Sequence, residues 1–129
     1  MDVEAIDHAN LHIPEDGVEA AVAFYRDGLG LDVENLDLFE SGEKPFFSVR
    51  LAPTHVVHVQ PDPEFEPPSG ANFDHLALTV STDFESLKAE LDAAGIEVDR
   101  ELEPLGATGT NPAVYVTDPF GYTLELKVD

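Results

Sequence analysis

Apolar and polar residues alternate with period two in Ile6-Asp7-His8-Ala9-Asn10-Leu11, and again in Phe73-Asp74-His75-Leu76-Ala77-Leu78. Such alternation marks a strand with one buried face. Residues 7–13 and 74–80 are therefore expected to be strands, the first ended by Pro14. A helical period follows each. Val18, Ala21, Val22 and Tyr25 share one helix face over 18–26, with Gly28 or Gly30 as the stop. Phe84, Leu87, Leu91 and Ala94 make the corresponding stripe, opened by a capping-box pattern at Thr82 and Glu85 and closed by Gly95. Three strand-like runs succeed the first helix, near 31–39, 45–51 and 55–60. Three more succeed the second, near 96–102, 112–117 and 122–128. Asp118-Pro119-Phe120-Gly121 has the composition of a type I turn followed by a left-handed glycine, which suits a hairpin.

The chain thus reads as α+β, strand–helix–three strands stated twice. The offset from His8 to His75 is 67 residues, and the same offset carries His58 to Glu125. The stretch 61–70 holds four prolines, one glycine and no apolar period, and reads as a linker. A half of this size buries too little surface to stand comfortably alone. The expectation is one domain over 1–129, with a first module at about 4–60 and a second at about 72–129 sharing one core.

Period two also sorts the chemistry. His8, Asn10 and His12 share one strand face, opposite Ala9, Leu11 and Ile13; His58 and Gln60 oppose Val57 and Val59. His75 opposes Leu76 and Leu78, and Thr123, Glu125 and Lys127 oppose Leu124, Leu126 and Val128. If the sheets curve, the polar faces line a cleft in which His8, His58, His75 and Glu125 are expected to converge on one divalent cation. Imidazole and carboxylate suit Zn, Ni, Co, Mn or Fe(II). Asn10 and His12 either contact substrate or only fill the polar face. His55, three residues from His58, is read as structural. Arg50 and Lys127 either bind an anionic substrate or form surface salt bridges. Tyr115 lies opposite Glu125 if the hairpin loop has three residues, and becomes a substrate contact on that condition.

Composition narrows the partners. Six Lys and Arg against 27 Asp and Glu give a formal net charge of −21, which disfavours nucleic acid and anionic membranes. The acidic residues are spread along the chain, so they read as a solvated surface of the halophilic kind, whose self-repulsion molar salt relieves. There is no cysteine, which removes disulfides, thiolate metal sites and cysteine nucleophiles. No apolar run approaches the roughly 20 residues of a membrane span, and the first residues do not have the pattern of a secretion signal. The cytoplasm is the expected location.

The two Asp-His motifs, the segment Phe24-Tyr25-Arg26-Asp27-Gly28-Leu29-Gly30-Leu31, and Val116-Thr117-Asp118-Pro119-Phe120-Gly121-Tyr122-Thr123-Leu124-Glu125-Leu126 together resemble the vicinal oxygen chelate superfamily over nearly the whole chain. That superfamily includes glyoxalase I, methylmalonyl-CoA epimerase, extradiol dioxygenases and the bleomycin and fosfomycin resistance proteins. The resemblance implies paired βαβββ modules forming a cup-shaped mixed sheet around a metal site, often in a homodimer. It implies metal ligands at His8, His58, His75 and Glu125, with His58 or Glu125 moving a substrate proton. Where this chain has His58, glyoxalase I is similar but carries a carboxylate. Three functions follow as expectations. The first is a metal-dependent, glyoxalase-like isomerase or lyase acting on a small oxygen-bearing substrate. The others are an Fe(II) extradiol catechol dioxygenase using His8, His75 and Glu125, and a non-enzymatic ligand-binding or resistance protein.

Overall fold

A computed structural model describes residues 1–129, and the chain divides into two compact units, Met1–Glu66 and Pro67–Asp129. In the first unit, β1 (His8–Pro14) leads into α1 (Val18–Val22), which continues as a π-helical turn over Ala23–Gly28. Then come β2 (Asp32–Glu34), a short α2 (Leu36–Glu40), β3 (Phe47–Ala52) and β4 (His55–Asp62). These strands form one mixed sheet of order β1-β4-β3-β2, in which only β1 and β4 run parallel. Leu11, Ile13, Val57, Val59, Phe47 and Val49 are buried, and their register puts them on one face. The helical stretch adds buried Ala21 and Tyr25.

The second unit repeats the plan. β5 (Leu76–Val80) is followed by α3 (Phe84–Ala93), β6 (Arg100–Leu102), a ribbon of β7 (Leu105–Gly106) and β8 (Gly109–Thr110), then β9 (Ala113–Thr117) and β10 (Thr123–Val128). The sheet order is β5-β10-β9-β6, again with only the first and last strands parallel. Leu124, Leu126, Val128, Val114 and Val116 are buried on the apolar side. On the other side Tyr115, Glu125 and Lys127 are buried as well.

One part of the expected architecture is overturned. The strands do not make a cup-shaped sheet around a metal site. They form two separate four-stranded sheets and a two-stranded ribbon, with edge strands β1 and β2 in one sheet and β5 and β6 in the other. No group of three or more His, Cys, Asp or Glu side chains is placed to hold a metal ion. The physical reason is that backbone pairing is completed inside each repeat, so no sheet carries all four ligand candidates.

Smaller differences have local causes. The strand expected over 31–39 stops at Glu34, because Asn35 takes a left-handed conformation (φ 65°) and a helical turn follows. The cap of α3 is Asp83 rather than Thr82: its carboxylate accepts from the Ser86 backbone N–H at 2.9 Å and from the Ser86 hydroxyl at 2.7 Å. Ribbon β7–β8 lies in a stretch where no strand was expected. In the β9–β10 hairpin, Asp118 N–H donates to the Tyr122 carbonyl, leaving Pro119, Phe120 and Gly121 (φ 98°) as a three-residue loop. Asp118 Oδ1 also accepts from the Phe120 and Tyr122 N–H groups, both at 2.9 Å.

Leu124, with no exposed surface, sits on the inner strand of the second sheet. Leu124→Ala is expected to cost about 2–5 kcal/mol, read as a lower urea midpoint with an unchanged slope.

Candidate functional site

The parallel pairing of first and last strand builds a pair of polar side chains in each unit. In the first, Asn10 lies opposite His58 and His8 opposite Val56. The His8 and His58 rings then stack obliquely, with centroids 4.5 Å apart and planes at 49°. Phe46 covers the His58 ring at 4.1 Å. Buried Ser48, opposite His58 on β3, places its hydroxyl 2.9 Å from His58 Nδ1. His8 Nδ1 donates to Asp7 Oδ2 at 2.7 Å.

In the second unit Glu125 lies opposite Ala77 on one side and Tyr115 on the other. Glu125 is 4% exposed. Its Oε2 accepts from the Tyr115 hydroxyl at 3.0 Å and meets His75 Nε2 at 2.9 Å. His75, just ahead of β5, donates from Nδ1 to Asp74 Oδ2 at 2.5 Å. The Arg100 guanidinium lies over the Tyr115 ring, 4.4 Å from its centroid.

The two arrangements correspond through the repeat. Asp7 and Asp74 each hold the Nδ1 of the histidine that follows, fixing ring and tautomer as carboxylates do for metal-binding imidazoles. Ser48 and Tyr115 stand 67 residues apart, as His58 and Glu125 do, and each hydrogen-bonds its partner across the same strand pair. His8, His58, His75 and Glu125 therefore assemble as two side-chain pairs, one in each unit, with an oxygen-bearing neighbour behind each residue.

The other expected residues fall outside these pairs. Asn10 donates to the Gln60 side chain at 3.2 Å, and His12 Nδ1 meets Asp62 Oδ2 at 2.8 Å. Arg50 is engaged: its Nη2 and Nε reach Glu34 at 2.8 and 3.1 Å, and its Nη1 reaches the Ala52 and Pro53 carbonyls. Tyr115 does face Glu125. Asp7, Asp74, Ser48 and Arg100 were not singled out from sequence. The two aspartates lie inside the repeated motifs, and carrying the 67-residue offset back from Tyr115 leads to Ser48. Arg100 has no sequence signal, because its place depends on the β6–β9 register.

Electrostatics follow the contacts. The hydrogen bond from His8 holds the Asp7 carboxyl below the usual range. Burial lowers the pKa of His58, and the neighbouring His8 lowers it further. Burial and then the Glu125 hydrogen bond raise the Tyr115 hydroxyl.

Residues 5–126 match the Glyoxalase/Bleomycin resistance protein/Dioxygenase superfamily. The chain belongs to this superfamily. Virulence protein STM3117 of Salmonella typhimurium is 27% identical over 129 residues, covering 98% of this chain and 85% of that one. Its crystal structure superposes with a TM-score of 0.78 at 23% identity, over 99% of this chain and 98% of that one. A glyoxalase family protein from Bacillus anthracis gives 0.76 at 24%, over 100% and 98%. Lactoylglutathione lyase from Agrobacterium tumefaciens gives 0.69 at 21%, over 98% and 95%. At these identities the superpositions establish a fold shared with other superfamily structures. No helix in the chain is long and apolar enough to cross a membrane.

His58 is expected to titrate below its ordinary value of 6.5. The unfolded chain then binds more protons than the folded one, so this residue's contribution to stability is present above pH 6.5 and is lost as pH falls through its folded value. Imidazole ring-proton shifts followed by NMR check this, and His8→Gln should raise the His58 midpoint towards 6.5.

Proposed function

We propose that the protein is a divalent-metal-dependent, glyoxalase-like isomerase or lyase acting on a small oxygen-bearing substrate. The observation that carries this reading is the repeated backing of the donors. Asp7, Asp74 and Ser48 take up Nδ1 of His8, His75 and His58, and Glu125 lies 2.9 Å from His75 Nε2. Imidazole Nε2 atoms beside a buried carboxylate are the donor chemistry of a Zn, Ni, Co, Mn or Fe(II) site. The pair His8–His58 of the first unit and the pair His75–Glu125 of the second are each, by themselves, proposed as donors.

When bound, such an ion polarises neighbouring oxygens of a substrate and so acidifies the adjacent C–H bond. The chain supplies the proton transfer. His58, with its lowered pKa, is neutral near pH 7 and presents a base. Glu125 is the second candidate for moving the proton, with Tyr115 donating to its Oε2 and holding it in place. Asp7 and Asp74 orient the rings of His8 and His75, and Phe46 shields one face of His58 from water.

One observation favours a second reading, a ligand-binding or resistance protein without metal. His75 Nε2 and Glu125 Oε2 are in direct contact at 2.9 Å, which leaves no space for an ion between them. The same experiment separates the two readings. Under the first, dialysed protein retains stoichiometric Ni, Co or Zn, His58→Ala and Glu125→Ala lose most of it, and loaded protein exchanges deuterium into activated C–H positions of hydroxy- and oxo-compounds. Asp7→Ala should weaken metal binding by about 10–100-fold. Retention of metal with no exchange on any substrate removes the isomerase, and no retention removes the metal.

The charge of −21 adds a halophilic character to the proposal. Its expected outcome is a melting temperature that rises steadily from 0.1 M to multimolar KCl, as screening shortens to about 3 Å at 1 M.

A further inference from the structure

Cations are scarce in this chain, at six against 27 carboxylates. Arg26, Arg50 and Lys88 each meet a carboxylate within salt-bridge distance. Lys44, exposed ahead of β3, Arg100 and Lys127 meet none, and the last two lie on the Glu125 face of the second sheet. Arg100 pairs with Tyr115, which pairs with Glu125; Lys127 follows two residues along β10 on the same side. Lys127 is 6% exposed. Its Nζ donates to the Gly109 carbonyl at 2.8 Å, which uses one of the three donors of a lysine. The absence of a side chain at Gly106 leaves room for that Nζ, since a Cβ there would collide with it.

A buried cation without a counter-charge costs free energy that a ligand can recover. A guanidinium stacked on an aromatic ring is held in one plane with its N–H edge open, which suits bidentate recognition of carboxylate or phosphate. The Arg100 guanidinium carbon lies 4.4 Å from the Tyr115 ring centroid, and no carboxylate of the chain forms a salt bridge with it.

The geometry points to Arg100 and Lys127 as an anion-recognising subsite beside Glu125, so that the substrate carries a carboxylate or phosphate next to its reacting oxygens. The inference rests on the function proposed above for the location of the reacting oxygens, and it deepens that reading by naming a substrate class. Arg50, the arginine suggested by sequence, is neutralised by Glu34 and leaves this role to Arg100.

Calorimetric titration with dihydroxyacetone phosphate and with dihydroxyacetone, on metal-loaded and on metal-free protein, tests the subsite. The net charge of −21 disfavours the anion everywhere else on the surface, so a preference for it must come from a local site. The expected result is binding of the phosphate compound at least about tenfold tighter than the neutral one, in both metal states. Arg100→Gln and Lys127→Met should each remove most of that preference, and Arg100→Lys should restore part of it. Arg100 is exposed, so its variants decide the question even if Lys127→Met fails to fold. Equal affinities, no binding of the phosphate compound, or a preference untouched by the Arg100 variants overturns the subsite. A preference that persists without any deuterium exchange supports the subsite while overturning the isomerase.

Discussion

Everything chemical in this protein depends on one constraint, the parallel pairing of the first and last strand of each repeat. Parallel neighbours in a sheet lie about 4.8 Å apart, and the register sets which side chains become neighbours. Asn10 opposite His58 and Ala77 opposite Glu125 are the same register stated twice. Each places the donor of the last strand one diagonal step from the histidine that starts the first. A slip of one residue would turn His58 and Glu125 to the apolar face. Burial of Leu124, Leu126, Val57 and Val59 opposes that slip.

The repeat has diverged more on its polar faces than on its apolar ones. In the first unit the last-strand donor is an imidazole backed by a serine; in the second it is a carboxylate backed by a tyrosine. The second unit also buries its polar face more completely, with Tyr115, Glu125 and Lys127 all nearly inaccessible. Duplication followed by such divergence yields one unit with a pair of imidazoles and another with a buried carboxylate on the same sheet face as Arg100 and Lys127.

The sequence was most legible where periodicity and repetition coincided. Period-two alternation located β1, β4, β5, β9 and β10, and the 67-residue offset singled out His8, His58, His75 and Glu125 as one converging set, which the structure divides into one pair in each unit. It was least legible where a single residue's conformation decides, as at Asn35, or where long-range register decides, as for Arg100. Ribbon β7–β8 lies in Leu105–Thr110, a stretch with glycines and little apolar content, so no periodic signal marks it. The cup shape was implied by resemblance and the convergence on one metal was read from the repeat and its polar faces; the structure has two separate sheets and no group of side chains placed to hold a metal. Membership of the superfamily fixes neither the reaction nor the metal. Those follow from local chemistry, and the backing of each Nδ1 is the most specific piece of it.

Anomalous diffraction from crystals grown with Ni²⁺, recorded on both sides of the metal absorption edge, tests the central claim most directly. The account predicts a peak within coordinating distance of Nε2 of the histidines at 8, 58 or 75, or of the carboxylate at 125, with each Nδ1 still engaged by its oxygen partner. A peak confined to His12 and Asp62, or no peak at saturating metal, would contradict it.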